Sequence, residues 1–181
     1  MLGRSFFARP ALTVARDLLG KYLVRKNGGK QEAYMIVETE AYGGARDKAS
    51  HARSGKTMRN WPMFEPGGTI YVYLTYGMHW MLNVSTGARG TASAVLIRGL
   101  IAESDKGRML DGPAKLTKNL RIDGSLTGMP LGKESKLWIE DRGVHLKKRQ
   151  VSRTARIGVE YAGAWGKKPW RFVADVHTSH R

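Results

Sequence analysis

Tyr34-Met35-Ile36-Val37-Glu38-Thr39-Glu40-Ala41-Tyr42 reads as a strand that starts apolar and ends in two carboxylates and a tyrosine. Its β-branched and aromatic residues favour an extended chain. Alternation along a strand assigns Ile36, Glu38, Glu40 and Tyr42 to one face. Upstream, Tyr22-Leu23-Val24 reads as a partner strand, and Asn27-Gly28-Gly29 supplies residues that tolerate the positive φ of a tight turn, so the two form a hairpin. Carboxylates closing an apolar strand have two explanations. They either face water as a solvated edge, or they face a site in which one acts as general base beside a stacking ring.

Around this hairpin the pattern is mostly strands. A short helix opens at Pro10, places Leu12, Val14, Ala15, Leu18 and Leu19 on one stripe, and closes at Gly20. A glycine- and charge-rich loop runs from Gly43 to about Gly68. A second hairpin follows, with Thr69 to Thr75 as one strand, a turn near Tyr76-Gly77, and Trp80 to Val84 as the other. Ala92 to Leu100 reads as a central strand that contains Arg98. Gly112-Pro113-Ala114-Lys115-Leu116 starts a helix, with Asp111 near its cap. Short strands are expected at Leu137–Ile139, near Arg156–Val159, and at Lys168–Val173. The fold class is α+β: a single domain over residues 1–181, with a curved, largely antiparallel sheet, short surrounding helices and a protruding β-hairpin.

Several side chains on these elements carry chemistry. Tyr71 and Tyr73 share a strand face and Tyr76 stands at the turn, suited either to stacking on bases and wedging into a duplex or to ordinary cross-strand packing. Asn83, on the return strand, has an amide that can read a base edge. A guanidinium within an apolar strand, as at Arg98, needs an acidic partner or a phosphate. The segment His51 to Asn60 combines a histidine with Arg53, Lys56 and Arg59, donors suited to phosphate or simply to water. His177 and His180 sit at a C-terminus expected to fray, without a third ligand, so no metal site is read there.

Composition narrows the partner. The 181 residues include 31 Lys+Arg and 15 Asp+Glu, a net charge of +16. Residues 1–90 hold 13 basic and 6 acidic side chains and residues 91–181 hold 18 and 9, so the halves carry +7 and +9. Charge spread over the whole fold fits a body that lies along a phosphate backbone better than a globule with a basic tail. With no cysteine, thiol nucleophiles, thiolate metal sites and disulfides are excluded, which fits a reducing compartment. No apolar run reaches the ~18 residues of a membrane span, and the first residues lack a secretory signal core. The expected location is cytoplasmic, associated with the nucleoid.

Taken in order, Phe6-Phe7, Ala15-Arg16-Asp17-Leu18-Leu19-Gly20, Val37 to Tyr42, Ala49-Ser50-His51-Ala52-Arg53, Tyr71-Val72-Tyr73, Tyr76-Gly77-Met78, Asn83, Leu96-Ile97-Arg98, Gly112 to Leu116 and Lys168 to Phe172 resemble the alkyladenine (3-methyladenine) DNA glycosylase family, the mammalian-type methylpurine glycosylases. The resemblance runs from about Leu2 to Val173. It implies a monofunctional, metal- and cofactor-independent enzyme, a monomer acting on duplex DNA that contains damaged purines, without lyase activity. By the same resemblance Glu40 is the base that activates water, with Arg98 beside it. Tyr42, His51, Tyr73 and Asn83 form the base pocket, and Asn83 opposes the 2-amino group of guanine. Tyr76, with Gly77 and Met78, enters the duplex from the minor groove. Arg59 and Lys115 contact phosphates. In the loop after His51, Thr57-Met58-Arg59-Asn60 follows a spacing one residue shorter than the family pattern.

Two other readings compete. The same fold type occurs as an RNA-binding appendage on formyltransferases, so a non-catalytic nucleic-acid-binding module accounts for the charge, though not for Glu40, Tyr42, His51, Tyr73 and Asn83 together. A sugar hydrolase using Glu38 and Glu40 as an inverting pair has no use for the positive charge.

Overall fold

The computed structural model describes residues 1–104 and 107–176, so His177 and His180 lie outside the described residues. Nine strands are formed among the described residues: β1 (Tyr22–Asn27), β2 (Lys30–Tyr42), β3 (Ile70–Thr75), β4 (His79–Thr86), β5 (Ser93–Ala102), β6 (Met109–Asp111), β7 (Leu137–Glu140), β8 (Val151–Thr154) and β9 (Arg171–Ala174). They make one sheet in the order β3-β4-β5-β2-β1-β7, with β6 added to β5, β9 to β2, and β8 to β9. Every pairing is antiparallel. Short helices α1 (Arg4–Phe7), α2 (Ala11–Asp17) and α3 (Pro113–Leu120) complete the α+β architecture. Among the described residues no helix is long and apolar enough to cross a membrane.

The 13-residue strand β2 organises the sheet. One of its sides pairs with β5, while the other meets β1 along its first half and β9 near its end. Register shifts against β5 on either side of Glu38 mark a β-bulge. The extra residue breaks the alternation counted from Ile36: Ile36 and Val37 both enter the main core. Thr39 also turns to that side, donating from its hydroxyl to the Ala15 carbonyl of α2 at 2.8 Å. Glu38, Glu40 and Tyr42 therefore face the opposite side of the sheet, without Ile36. Gly99 makes room for this arrangement, since a Cβ there would come to 2.9 Å from the Cβ of Glu38.

The main core lies between one sheet face and the helices. Val14, Ala15 and Leu18 from α2, and Leu116 and Leu120 from α3, pack with Val72, Leu82, Val84, Val95 and Ile97, all buried. Each large side chain taken from water here contributes about 1.5–3 kcal/mol. Two smaller clusters occupy the other face: Ala52, Met63, Tyr71, Ala92 and Ala94, and separately Ala49, Val159 and Ala162.

Asp111 lies next to the cap of α3, as expected: it ends β6, and the capping residue is Gly112, at φ 101° and without a side-chain cap, with Pro113 setting the first turn. Two local expectations are corrected. Arg156–Val159 is not a strand: the last antiparallel ribbon is β8 with β9, and residues 156–159 leave the sheet to pack on its open face. The strand expected from Lys168 begins only at Arg171.

Candidate active site

Strand register assembles the site. Tyr71 of β3 is paired with Asn83 of β4, Asn83 with Leu96 of β5, and Leu96 with Glu40 of β2, a row across four neighbouring strands. Two residues along, Tyr73 lies opposite Met81 and Tyr42 opposite Ala94. Equal parity sends all these side chains to the face away from α2 and α3. There Tyr42, Tyr71, Tyr73, Asn83, Arg98 and His51 line a cavity of about 410 Å³, with Tyr161 and Tyr76 also on its walls. The volume and aromatic lining suit a planar heterocycle.

Glu40 is 0% exposed, which removes the solvated-edge explanation of the two glutamates. The three residues bonded to it, Tyr42, Arg98 and Ile157, all line the cavity. The Tyr42 hydroxyl donates to its Oε2 at 2.8 Å, the Ile157 backbone N–H to its Oε1 at 2.9 Å, and Arg98 Nε lies 3.4 Å from Oε1. Arg98 Nε also donates to Glu38 at 2.9 Å, and Glu38 accepts from Arg171 at 3.2 Å. Glu38 thus anchors two guanidiniums and Glu40 shares one of them. Burial raises the Glu40 pKa above the ordinary carboxylate value; Arg98, the Ile157 N–H and the Tyr42 hydroxyl oppose this in part. The result is a carboxylate more basic than one in water, held at fixed orientation.

Arg98 apart, His51 and the tyrosines Tyr42, Tyr71 and Tyr73 give the cavity uncharged walls. His51 Nδ1 lies 2.9 Å from the Tyr71 hydroxyl and its ring meets Tyr73 edge-on at 4.6 Å. Burial, with Arg59 and Arg53 nearby, pushes its pKa down to about 4, so it is neutral at pH 7. Burial also raises Tyr42, Tyr71 and Tyr73, the last to about 12. Both hydrogens of the Asn83 amide are used internally, donated to the Tyr71 and Met81 carbonyls at 3.2 Å, which fixes this side chain against the cavity.

Tyr76, Gly77 and Met78 form the tip of the β3–β4 hairpin. Tyr76 and Gly77 both take positive φ, 51° and 67°, and Met78 N–H donates to the Thr75 carbonyl, a type I′ turn whose twist matches the strands. A tyrosine there is strained, and it is 86% exposed beside a Met78 that is 70% exposed. The arrangement puts a large ring on the rim of the cavity. Arg59 donates to the Leu74 carbonyl at 2.9 Å and lies over the Tyr73 ring at 5.0 Å, so it braces the hairpin. Lys115 is exposed on α3, two residues from Pro113 on the cavity wall.

Five participants were not singled out from the sequence. Ile157 acts through its backbone, for which no side-chain signal exists. Asp47 and Arg156 form a buried ion pair across 109 residues. Tyr161 stands on the cavity wall, 63% exposed. Asn60 holds the shortened loop, accepting from the Thr57 N–H and donating to the His51 and Gly55 carbonyls.

A buried, ion-paired carboxylate thus sits behind an aromatic cavity lined by its three partners, in a strongly basic fold. The family model of methylpurine-DNA glycosylases matches residues 5–178, and the chain belongs to that family. It is 44% identical over 177 residues, covering 96% of this chain and 89% of the relative, to a protein of Anaeromyxobacter sp. (strain Fw109-5) named as a 3-methyladenine DNA glycosylase. A protein of Carboxydothermus hydrogenoformans with the same name is 45% identical, covering 95% of this chain and 94% of the relative. The DNA-3-methyladenine glycosylase of Mus musculus is 40% identical over 96% of this chain and 59% of its own length.

Proposed function

We propose that this protein is a monofunctional DNA glycosylase that removes alkylated purines, 3-methyladenine among them, from duplex DNA and leaves an abasic site. The observation that carries this reading is Glu40, fully buried and held by Arg98, Tyr42 and the Ile157 N–H, all three of which line the cavity.

In this reading the damaged nucleotide is turned out of the duplex into the cavity, at a cost of a few kcal/mol that is least for weakly paired bases. Water adds its oxygen to C1′ as the C1′–N bond breaks, its proton passes to Glu40, and the bond's electron pair leaves with the purine. An alkylated purine cation is thereby neutralised and needs no general acid. The neutral His51 and the raised tyrosines fit that lack of an acid. Negative charge on Glu40 also steadies the positive charge developing on the sugar. Tyr76 fills the gap left in the duplex from the minor groove, Asn83 opposes the 2-amino group of guanine, and Lys115 meets phosphate from the rim. Among the described residues no lysine lines the cavity, in keeping with simple hydrolysis without a Schiff-base nucleophile. The enzyme works as a monomer in the cytoplasm, on nucleoid DNA.

The test is direct. Incubated with methylated duplex DNA, the protein should release free 3-methyladenine without cutting the strand; covalent trapping by borohydride or an absence of free base would overturn the assignment.

A further inference from the structure

Arg156 is the most completely enclosed cation in the site region and is not among the residues the reaction above uses. Its side chain and that of Asp47 are both 0% exposed, joined by two bonds of 2.6 and 2.9 Å. It also donates to the Ala41 carbonyl at 2.9 Å and the Trp165 carbonyl at 3.1 Å. Its guanidinium lies over two rings, Tyr42 at 4.8 Å and Trp170 at 5.0 Å. Such a buried pair is weak evidence for stability, because desolvation offsets most of the attraction, so its use must be sought elsewhere.

The neighbours indicate that use. Ile157, the next residue, donates its N–H to Glu40, and Tyr42, under the guanidinium, donates its hydroxyl to the other oxygen of the same carboxylate. The segment carrying Ile157 is not part of the sheet, so strand pairing does not place that N–H. The bonds of Arg156 to β2 and to Asp47 do. Resting on the assignment of Glu40 as the base, we infer that Arg156, clamped by Asp47, is a positioning residue that fixes both uncharged donors to Glu40.

Because these donors favour the ionised carboxylate, loosening them raises the Glu40 pKa further. The other groups facing Glu40 are held by bonds that do not involve Arg156: Glu38 on the same strand, Arg98 on β5, Tyr73 on β3, and Arg171 on β9 through Glu38. A purely structural role for Arg156 would lower the melting temperature and leave the pH dependence of base release where it was.

The experiment measures single-turnover release of 3-methyladenine against pH for the wild type and Arg156→Lys, which keeps the charge and loses the planar fork and the stack. The acid limb should move up by about one pH unit, so that release at pH values well below the limb falls about tenfold, as for loss of one bond to a charged group. Damaged-duplex binding should stay within about twofold. A folded variant with an unmoved limb overturns the proposal. Should the variant not fold, the wild-type Ile157 amide decides by NMR. A downfield proton shift titrating together with the acid limb supports the clamp, and an amide indifferent to that titration refutes it. Failure of the glycosylase assignment looks different: the wild type itself releases no base, or Glu40→Gln releases it undiminished, and the proposal falls with it.

Discussion

Tyr42 and Glu40, two residues apart on one strand, are joined by a 2.8 Å hydrogen bond from phenol to carboxylate. One side chain is thus both a wall of the cavity and a support for the buried carboxylate. Tyr42→Phe should keep the wall and lose the support. Base release at neutral pH is expected to fall about tenfold, in line with a hydrogen bond to a charged group, with little change in affinity for damaged duplex. Single-turnover rates set beside gel-shift affinities separate the two effects.

Replacing the carboxylate itself is more severe. Glu40→Gln keeps the shape and removes the proton acceptor, so release should drop by about 10²–10⁴-fold. Binding to damaged duplex should persist. A variant excising at the wild-type rate would remove Glu40 from the chemistry.

Because burial holds the Glu40 pKa above the ordinary carboxylate value, release should decline with falling pH along a limb lying above about 4.5, the group being inactive once protonated. His51 does not contribute to that limb near neutrality, since it titrates at about 4.

His51 instead governs acid stability. Its pKa is about 6.5 when the chain is unfolded and about 4 when folded. As pH falls through 6.5 toward 4 the unfolded chain takes up a proton that the folded one refuses. The loss amounts to about 3 kcal/mol when complete. His51→Gln should flatten this part of the stability–pH curve, measured by denaturant unfolding between pH 4 and 7.

Tyr76 lies on the surface at positive φ, so Tyr76→Ala should alter stability by only about 0.5 kcal/mol. Excision from duplex DNA should nevertheless fall, and fall less from single strands, where no gap needs filling. Equal losses on both substrates would take the wedge role away from Tyr76.

Neutralising exposed cations such as Lys56 and Lys115 should weaken DNA binding and reduce its salt dependence by about one counterion for each phosphate no longer neutralised. The order in which different alkylated purines are excised should not change. A reordering would show that these lysines reach the cavity.

Much of the fold was legible because local rules and tertiary packing agree. The stripe Val14, Ala15 and Leu18 demanded a sheet to cover, and Asn27-Gly28-Gly29 and Tyr76-Gly77 supplied turns, so both hairpins and α2 follow from the chain itself. The bulge at Glu38 was not legible, because nothing in Ile36-Val37-Glu38 marks an extra residue. It arises where β2 changes partner from β1 to β9. Residues 156–159 look like a strand because Ile157 and Val159 alternate, yet the sheet has no position for them and they are drawn to the open face by Arg156.

Charge, periodicity and turn residues are local properties of the chain, and they suffice for a positive α+β body with hairpins, a carboxylate at the end of β2 and tyrosines on β3. Its motifs also carried the resemblance to the family. The burial of Glu40, the row of Tyr71, Asn83, Leu96 and Glu40, and the backbone N–H that reaches the carboxylate beside the ion pair of residues 47 and 156 exist only in the folded chain. These are matters of register and of contacts between distant segments. Desolvation, which makes Glu40 a stronger base than a carboxylate in water, exists only once those segments have closed over it.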